Sequence, residues 1–255
     1  MNEQIGALVK NIEKVIVGKR EAIVKVICAM LAEGHVLIED VPGVGKTRLV
    51  AALANSVDGM FNRIQLTPDI MPSDIVGFSM IDPQSKQLEY RQGAAMCNFL
   101  LADEINRASP KTQSSLLEVM EEHQISLDGR TMPLPAPFMV MATQNPVETY
   151  GTYHLPEAQM DRFMLKVVIG YPTIEEEKLI IRENISGAGL PEVRPVTTSD
   201  EILKARKVVN EVYIDEKIEQ YVADIVFATR YPDRYGLREM KDMISFGGSP
   251  RASIN

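Results

Sequence analysis

Residues 35–56 read HVLIEDVPGVGKTRLVAALANS. Val36 to Glu39 form a short apolar run of strand length. From Lys46 onward, Leu49, Val50, Leu53 and Ala54 recur at helical spacing. Between them lies a glycine-rich turn, so the stretch reads strand, loop, helix. That is the context in which backbone N–H groups at a helix start can cradle phosphate. The strict spelling G-x-x-x-x-G-K-[ST] puts glycine at position 40, where this chain has Asp40. The stretch alone therefore leaves open a looser phosphate site or a glycine-rich turn. Gly43 and Gly45 are the glycines that let backbone approach a phosphate. A different residue at position 40 is acceptable if its backbone stays ordinary, so Asp40 is expected to have negative φ.

Working outward, the same alternation of elements continues. A helix is expected over Arg20 to Glu33, stopped by Gly34 as its cap. FNRIQLT and FMVMATQN read as strands, as does RFMLKVVIG. Phe99 to Ala102 form a continuous apolar run suited to a parallel strand buried on both faces. SPKTQSSLLEVMEEH is a helix with Ser109 as N-cap and Pro110 at its first position. QISLDGRTMPL alternates around Asp128-Gly129, a hairpin signal. Strands alternating with helices give an α/β fold with a parallel sheet flanked by helices. After Gly170-Tyr171-Pro172 the pattern turns helical, and TIEEEKLIIREN opens with a capping box of Thr173 and Glu176. The expected division is 1–170 as the α/β domain and 171–255 as a small all-helical domain.

Composition narrows the function classes. An apolar share of 45% with 24% charged residues is that of a globular chain. A net charge of -8 argues against a general nucleic-acid binder. The start MNEQIGALVK lacks the basic and apolar regions of a secretory signal, and the longest apolar run falls short of the ~20 residues of a membrane span. A cytoplasmic location is the default expectation. Cys28 and Cys97 lie among apolar residues (VKVICAML, AAMCNFLLA) and read as small buried side chains. Met139, Met141, Met160 and Met164 read as core packing. His35, His123 and His154 are scattered, with no ligand partner nearby in sequence.

Several polar residues punctuate the apolar runs. Asp103 and Glu104 follow the strand at residues 99–102, where α/β sheets bind ligands. Nucleotide hydrolysis uses such a pair: one acid holds Mg²⁺, the other polarises the attacking water. A solvated loop is the alternative. Thr143, Gln144 and Asn145 end the next strand, and a neutral amide there can bond a γ-phosphate or water without adding charge; it can equally be a polar turn before Pro146. Asp161-Arg162 precede a strand, and Arg162 is either a stabiliser of phosphoryl charge or a surface ion pair. Arg251 follows Ser249 and Pro250 at a helix start, as a second phosphate-sensing arginine or a capped helix alone.

Taken in order, these segments resemble the MoxR family of AAA+ ATPases. VPGVGKT resembles Walker A, LLADEINRA Walker B, ATQNP sensor 1, EAQMDRF the arginine-finger segment and GSPRA sensor 2. TPDIMPSDIVG and RASPKTQSSLLEVMEE are also similar to MoxR sequences, and the resemblance runs from VIVGKREAI to Arg251. It implies a P-loop AAA+ fold with ATP or ADP and Mg²⁺ as ligands. Pro42, Gly43, Val44, Gly45, Lys46, Thr47 and Arg48 would contact the phosphates, with Lys46 on the β/γ-phosphates and Thr47 on Mg²⁺. Val17 and Gly18 would lie by the adenine. Asp103 would organise Mg²⁺, Glu104 activate water and Asn145 position it. Arg162 would act in trans within a homo-oligomeric ring, usually a hexamer, while Arg251 acts in cis or in trans. GFSMIDPQSKQLEYRQG would be an insertion and QISLDGRTMPL a hairpin, both facing a pore or client.

The family continues with more lid helices after the sensor 2 arginine. Four residues after Arg251 cannot hold a helix by themselves, so a lid cut short is expected.

Three functions follow. The first is a ring ATPase that remodels protein clients, among them von Willebrand factor A domain proteins, as the resemblance implies. The second is a nucleic-acid motor, for which the hairpin would be expected to carry basic residues; its turn holds Arg130 beside Asp128. The third is a nucleotide-gated interaction module with little turnover.

Overall fold

The computed structural model describes residues 2–39, 45–144, 152–185 and 193–254. In chain order the elements are α1 (Asn2–Glu13), α2 (Arg20–Leu31), β1 (Val36–Glu39), α3 (Lys46–Ser56), β2 (Phe61–Gln65), α4 (Pro72–Val76), β3 (Phe78–Ile81), β4 (Leu88–Arg91) and β5 (Phe99–Asp103). There follow α5 (Pro110–Glu122), β6 (Gln124–Leu127), β7 (Arg130–Pro133), β8 (Met139–Gln144), α6 (Glu157–Met160) and β9 (Leu165–Val167). The chain then continues through α7 (Ile174–Ile185), α8 (Ser199–Asn210), α9 (Glu216–Arg230) and α10 (Arg251–Ile254).

The central sheet is parallel, with strand order β2-β5-β8-β1-β9. Successive side chains on a strand point to opposite faces, and both faces are buried. Val36 and Ile38, Phe99 and Leu101, and Met139 and Met141 pack with α1, α2 and α3 on one face. Leu37, Leu100 and Ala102, and Val140 and Ala142 pack with α4 and α5 on the other. This two-sided burial is why the strands read as unbroken apolar runs. The two antiparallel pairs, β3–β4 and β6–β7, stand outside the sheet. Asp128 and Gly129 join β6 to β7 with φ of 51° and 72°, as the Asp-Gly turn demands.

Local signals hold where they are closed by near neighbours. Ser109 Oγ accepts from Thr112 N–H at the start of α5. Thr173 and Glu176 exchange the reciprocal bonds of a capping box (Thr173 N–H to Glu176 Oε2, 2.8 Å; Glu176 N–H to Thr173 Oγ1, 3.3 Å). α10 forms one turn, packed against α9 and begun by Arg251 N–H donating to Ser249 Oγ at 3.0 Å.

Two expectations are corrected. The end of α2 turns left-handed at Glu33 (φ 61°), one residue before Gly34. Gly34 N–H still closes the helix onto Ala29 O (2.8 Å), but the glycine is needed for packing: a Cβ there would lie 2.6 Å from Met164. Cys28 is exposed, not buried. The inner face of α2 is Ala22, Ile23, Val26, Ile27 and Met30, and residue 28 falls outside that helical stripe. Cys97 is buried as expected, and burial pushes its thiol up to about 12.

His35, just before β1, ties three elements together. Its Nδ1 accepts Val140 N–H and its Nε2 meets Met120 O, both at 2.9 Å. An N–H can only donate, so the ring is neutral with its proton on Nε2. Burial pushes its pKa down from 6.5 to about 4, against the weaker upward pull of the Met120 carbonyl. The unfolded chain therefore binds a proton between pH 6.5 and about 4 that the folded chain refuses. Stability should fall as pH drops through that window and be insensitive to this group above it. Urea unfolding of the wild type should show a lower midpoint at pH 5 than at pH 7. His35→Gln should be less stable at pH 7 yet flatter over the same interval; parallel slopes would place the pH dependence elsewhere.

Candidate active site

The carboxyl edge of the sheet gathers most of the polar residues singled out above. Gly45 precedes α3 with φ 88° and ψ 19°, a left-handed conformation open to glycine at little cost. Lys46 and Thr47 occupy the first turn of α3, where backbone N–H groups have no helical partner, and Arg48 is exposed. Asp40, Val41, Pro42, Gly43 and Val44 lie outside the described residues, and so does the expected φ of Asp40. A Cβ on Gly45 would lie 3.9 Å from Ile16 Cδ1, so the segment carrying Val17 and Gly18 runs beside this turn. Gly18 has φ 73°, and the Glu176 carboxylate of α7 rests on its Cα where a Cβ would go. Lys19 Nζ donates to Tyr171 O (2.8 Å) and pairs with Glu176 (3.5 Å). The Val17–Gly18 segment thus lies between the turn and the start of α7.

Alternation along β5 places Asp103 on the same face as Phe99 and Leu101, which is the face covered by α3. Both its oxygens are engaged. Arg63 of β2 donates from Nε (2.9 Å) and Nη2 (2.7 Å) to Oδ2, and Thr143 of β8 donates from Oγ1 to Oδ1 (2.9 Å). Glu104 is left-handed, with φ 57° and ψ 51°, and turns the chain into a 3-10 segment, Ile105–Arg107. Its N–H donates to Thr143 Oγ1 (2.9 Å), and its carboxylate pairs with Arg107 (3.0 Å). Beyond Thr143, Gln144 Nε2 donates to Glu39 Oε1 (2.8 Å), and Lys166 pairs with the other Glu39 oxygen. Those two partners hold the Glu39 carboxyl below its usual range, Lys166 most strongly. Asn145 lies outside the described residues.

Three partners here were not singled out from sequence: Arg63, Arg107 and Lys166. Arg107 alone carried a signal, since it stands three residues after Glu104 on a turn. The donor set suits Mg²⁺. Thr47 offers a hydroxyl and Asp103 a carboxylate, both hard oxygens, from the same sheet face and edge. Among the described residues no cluster of three or more His, Cys, Asp or Glu could hold a metal by itself, and no helix is long and apolar enough to cross a membrane.

The arginines are at the other end. Arg162 precedes β9, which runs parallel to β1 with Val36 opposite Leu165, so it stands at the amino edge of the sheet. Met164 N–H donates to His35 O at 2.9 Å and fixes that approach. Arg162 pairs with Glu121 of α5 (3.0 Å), and Arg251 pairs with the second oxygen of the same carboxylate. Ser249 bonds Asp161 alongside. Arg162 Nε is buried without a hydrogen-bond partner among the described residues. A cavity of about 320 Å³ opens beside the pair, lined also by Glu33, His35, His123 and Met164. The His35 and His123 rings lie 5.7 Å apart, so two of the scattered histidines meet. Asp103 and Glu104 thus share an edge with Lys46, whereas Arg162 and Arg251 share the opposite one.

Comparison with known proteins gives this arrangement a family. A model of the ATPase family associated with various cellular activities (AAA) matches residues 35–165. Chaperone MoxR1 of Mycobacterium tuberculosis is 44% identical over 244 residues, 96% of this chain and 64% of that protein. The uncharacterized protein YeaC of Bacillus subtilis is 46% identical over 98% of this chain and 75% of its own length. The crystal structure of a proposed ATPase from Cytophaga hutchinsonii superposes with a TM-score of 0.91 at 41% identity, covering 99% of this chain and 76% of that one. The fold is therefore the α/β P-loop fold of AAA+ proteins, and the chain belongs to the MoxR family of AAA+ ATPases.

Proposed function

We propose that this chain hydrolyses ATP in a Mg²⁺-dependent reaction at sites completed between neighbouring copies, and that the reaction drives remodelling, assembly or activation of protein clients. One observation carries this reading: the acids and the arginines stand at opposite edges of one sheet. Four-residue β1 alone spans roughly 13 Å, more than an arginine side chain can reach. The arginines of one copy are thus oriented to serve the phosphates of another, as in a ring, with a hexamer the expected form.

Within each site, Lys46 binds the β/γ-phosphates and the N–H groups of residues 43–47 cradle them. Glu104 accepts the proton of the attacking water and Asn145 orients that water. Thr47 and Asp103 are the residues that would hold Mg²⁺, which when bound neutralises phosphate charge. Val17 and Gly18 border the adenine, and Pro42, Val44 and Arg48 flank the phosphates. Residues 1–170 act as the nucleotide-binding domain and 171–255 as the helical lid that closes on it through Lys19 and Glu176. Arg251, held beside Arg162, serves in trans.

Protein clients fit better than nucleic acid. The β3–β4 pair exposes Phe78, Ile81 and Leu88, and the β6–β7 turn sets Arg130 near Asp128, no basic track. Von Willebrand factor A domain proteins are the client class the resemblance suggests, in the cytoplasm.

Purified protein should release phosphate from ATP with Mg²⁺ and stop when EDTA is added. Nucleotide binding without turnover would favour a nucleotide-gated module instead. Affinity capture with Glu104→Gln in ATP should retain protein; retention of nucleic acid alone would overturn the client reading.

A further inference from the structure

Thr143 is 1% exposed and stands between two strands that lead into the site. On one side β1 pairs with it through Ile38; on the other lies the end of β5. Its position in the alternation of β8, after Met139 and Met141, turns its side chain to the same face as Asp103. There the hydroxyl makes the two bonds described above, to Asp103 Oδ1 and to Glu104 N–H, each 2.9 Å. The backbone N–H can only donate, so the hydroxyl accepts it, and its one proton is left for the carboxylate. Neither bond can reverse.

We propose that Thr143 is a positioning residue that sets the two acids against one another through this single hydroxyl. It fixes the rotation of the Asp103 carboxylate, whose other oxygen Arg63 already holds. It also pins the N–H of Glu104, whose left-handed backbone is uncommon for a residue with a side chain. The direction in which the Glu104 carboxylate leaves the chain follows from that backbone. Any displacement of Asp103 is carried to Glu104 through one oxygen atom. The inference rests on reading Asp103 as the Mg²⁺-organising acid and Glu104 as the water-activating acid.

Thr143→Val keeps the shape and removes both bonds; Thr143→Ser keeps both. In the full chain, Thr143→Val should lower kcat about 10- to 100-fold, the range for outer-shell partners of a metal site, and raise the Mg²⁺ concentration for half-maximal turnover. Binding of a fluorescent ATP analogue without Mg²⁺ should change by less than about threefold, because the phosphate turn is untouched. Thr143→Ser should turn over within about threefold of the wild type. Should the valine variant fail to fold, Thr143→Cys, a weak donor of similar size, replaces it and should still lose turnover.

Wild-type kcat and Mg²⁺ dependence in Thr143→Val or Thr143→Cys, with Glu104→Gln inactive, would overturn the proposal and leave the acid roles standing. Thr143→Ser as slow as Thr143→Val would overturn it too, since the methyl and not the hydroxyl would then matter. Full turnover in Glu104→Gln would remove the acid reading and the proposal with it.

Discussion

Glu104→Gln is expected to lower ATP turnover by at least about a hundredfold while ATP still binds. The substitution keeps the size of the side chain and the left-handed backbone, and it keeps the bond from residue 104 N–H to Thr143 Oγ1. What it removes is the negative charge and the ability to take a proton from water. A glutamine amide can still orient a water molecule but cannot accept its proton at neutral pH. Arg107 loses an ion-pair partner at a part-exposed site, which costs little. The fold should therefore survive, with a thermal unfolding midpoint close to that of the wild type. The measurement is steady-state phosphate release at saturating ATP and Mg²⁺, beside the affinity for a fluorescent ATP analogue. A loss of affinity matching the loss of turnover would mean that Glu104 supports binding. Unchanged turnover would remove it from the reaction.

Glu104 also illustrates what the sequence could and could not show. Its place after an apolar strand was legible, because a parallel strand buried on both faces leaves an unbroken run ending where the chain leaves the sheet. Ser109, the Asp128-Gly129 turn and the Thr173–Glu176 box were legible for a related reason: each is closed by partners within a few residues. Cys28 misled because an apolar neighbourhood in sequence does not say which side of a helix a residue occupies. Gly34 misled because glycine serves two needs, left-handed backbone and close packing, and Met164 sets the second.

Apart from Arg107, the partners of the acids were out of reach of local pattern. Arg63 and Thr143 each lie about forty residues from Asp103. Only the strand order β2-β5-β8 brings all three to one face. The same holds at the amino edge, where Arg162 and Arg251 converge on Glu121 from two segments distant from it and from each other. Sequence could name the arginines by type and order. It could not tell that they share one carboxylate, or that the sheet separates them from Lys46.

That separation makes the effect of Arg162 the sharpest test of assembly. Arg162→Ala should lower turnover by roughly a thousandfold, the lower range for an arginine that stabilises a transferring phosphoryl group. ATP binding by the isolated subunit should be unaffected, because Lys46 and the proposed phosphate turn of the same chain lie across the sheet. Arg162→Lys should restore little, since an ammonium lacks the planar fork that grips two phosphate oxygens. Removing one of two guanidiniums also frees half of the Glu121 carboxylate, and Arg251 can then take both of its oxygens. Arg251→Ala should accordingly be milder than Arg162→Ala, and the double variant less than additive, as expected for groups sharing one partner. Mixing decides the geometry. Arg162→Ala subunits keep an intact Glu104, and Glu104→Gln subunits keep an intact Arg162. If the arginine serves its neighbour, a mixed ring pairs a good acid with a good arginine at some interfaces, and turnover should recover above that of either variant alone. Mixed rings that form, as shown by mass spectrometry, yet recover nothing would place Arg162 in a structural role on its own chain. The pairing with Glu121 would then be its whole purpose.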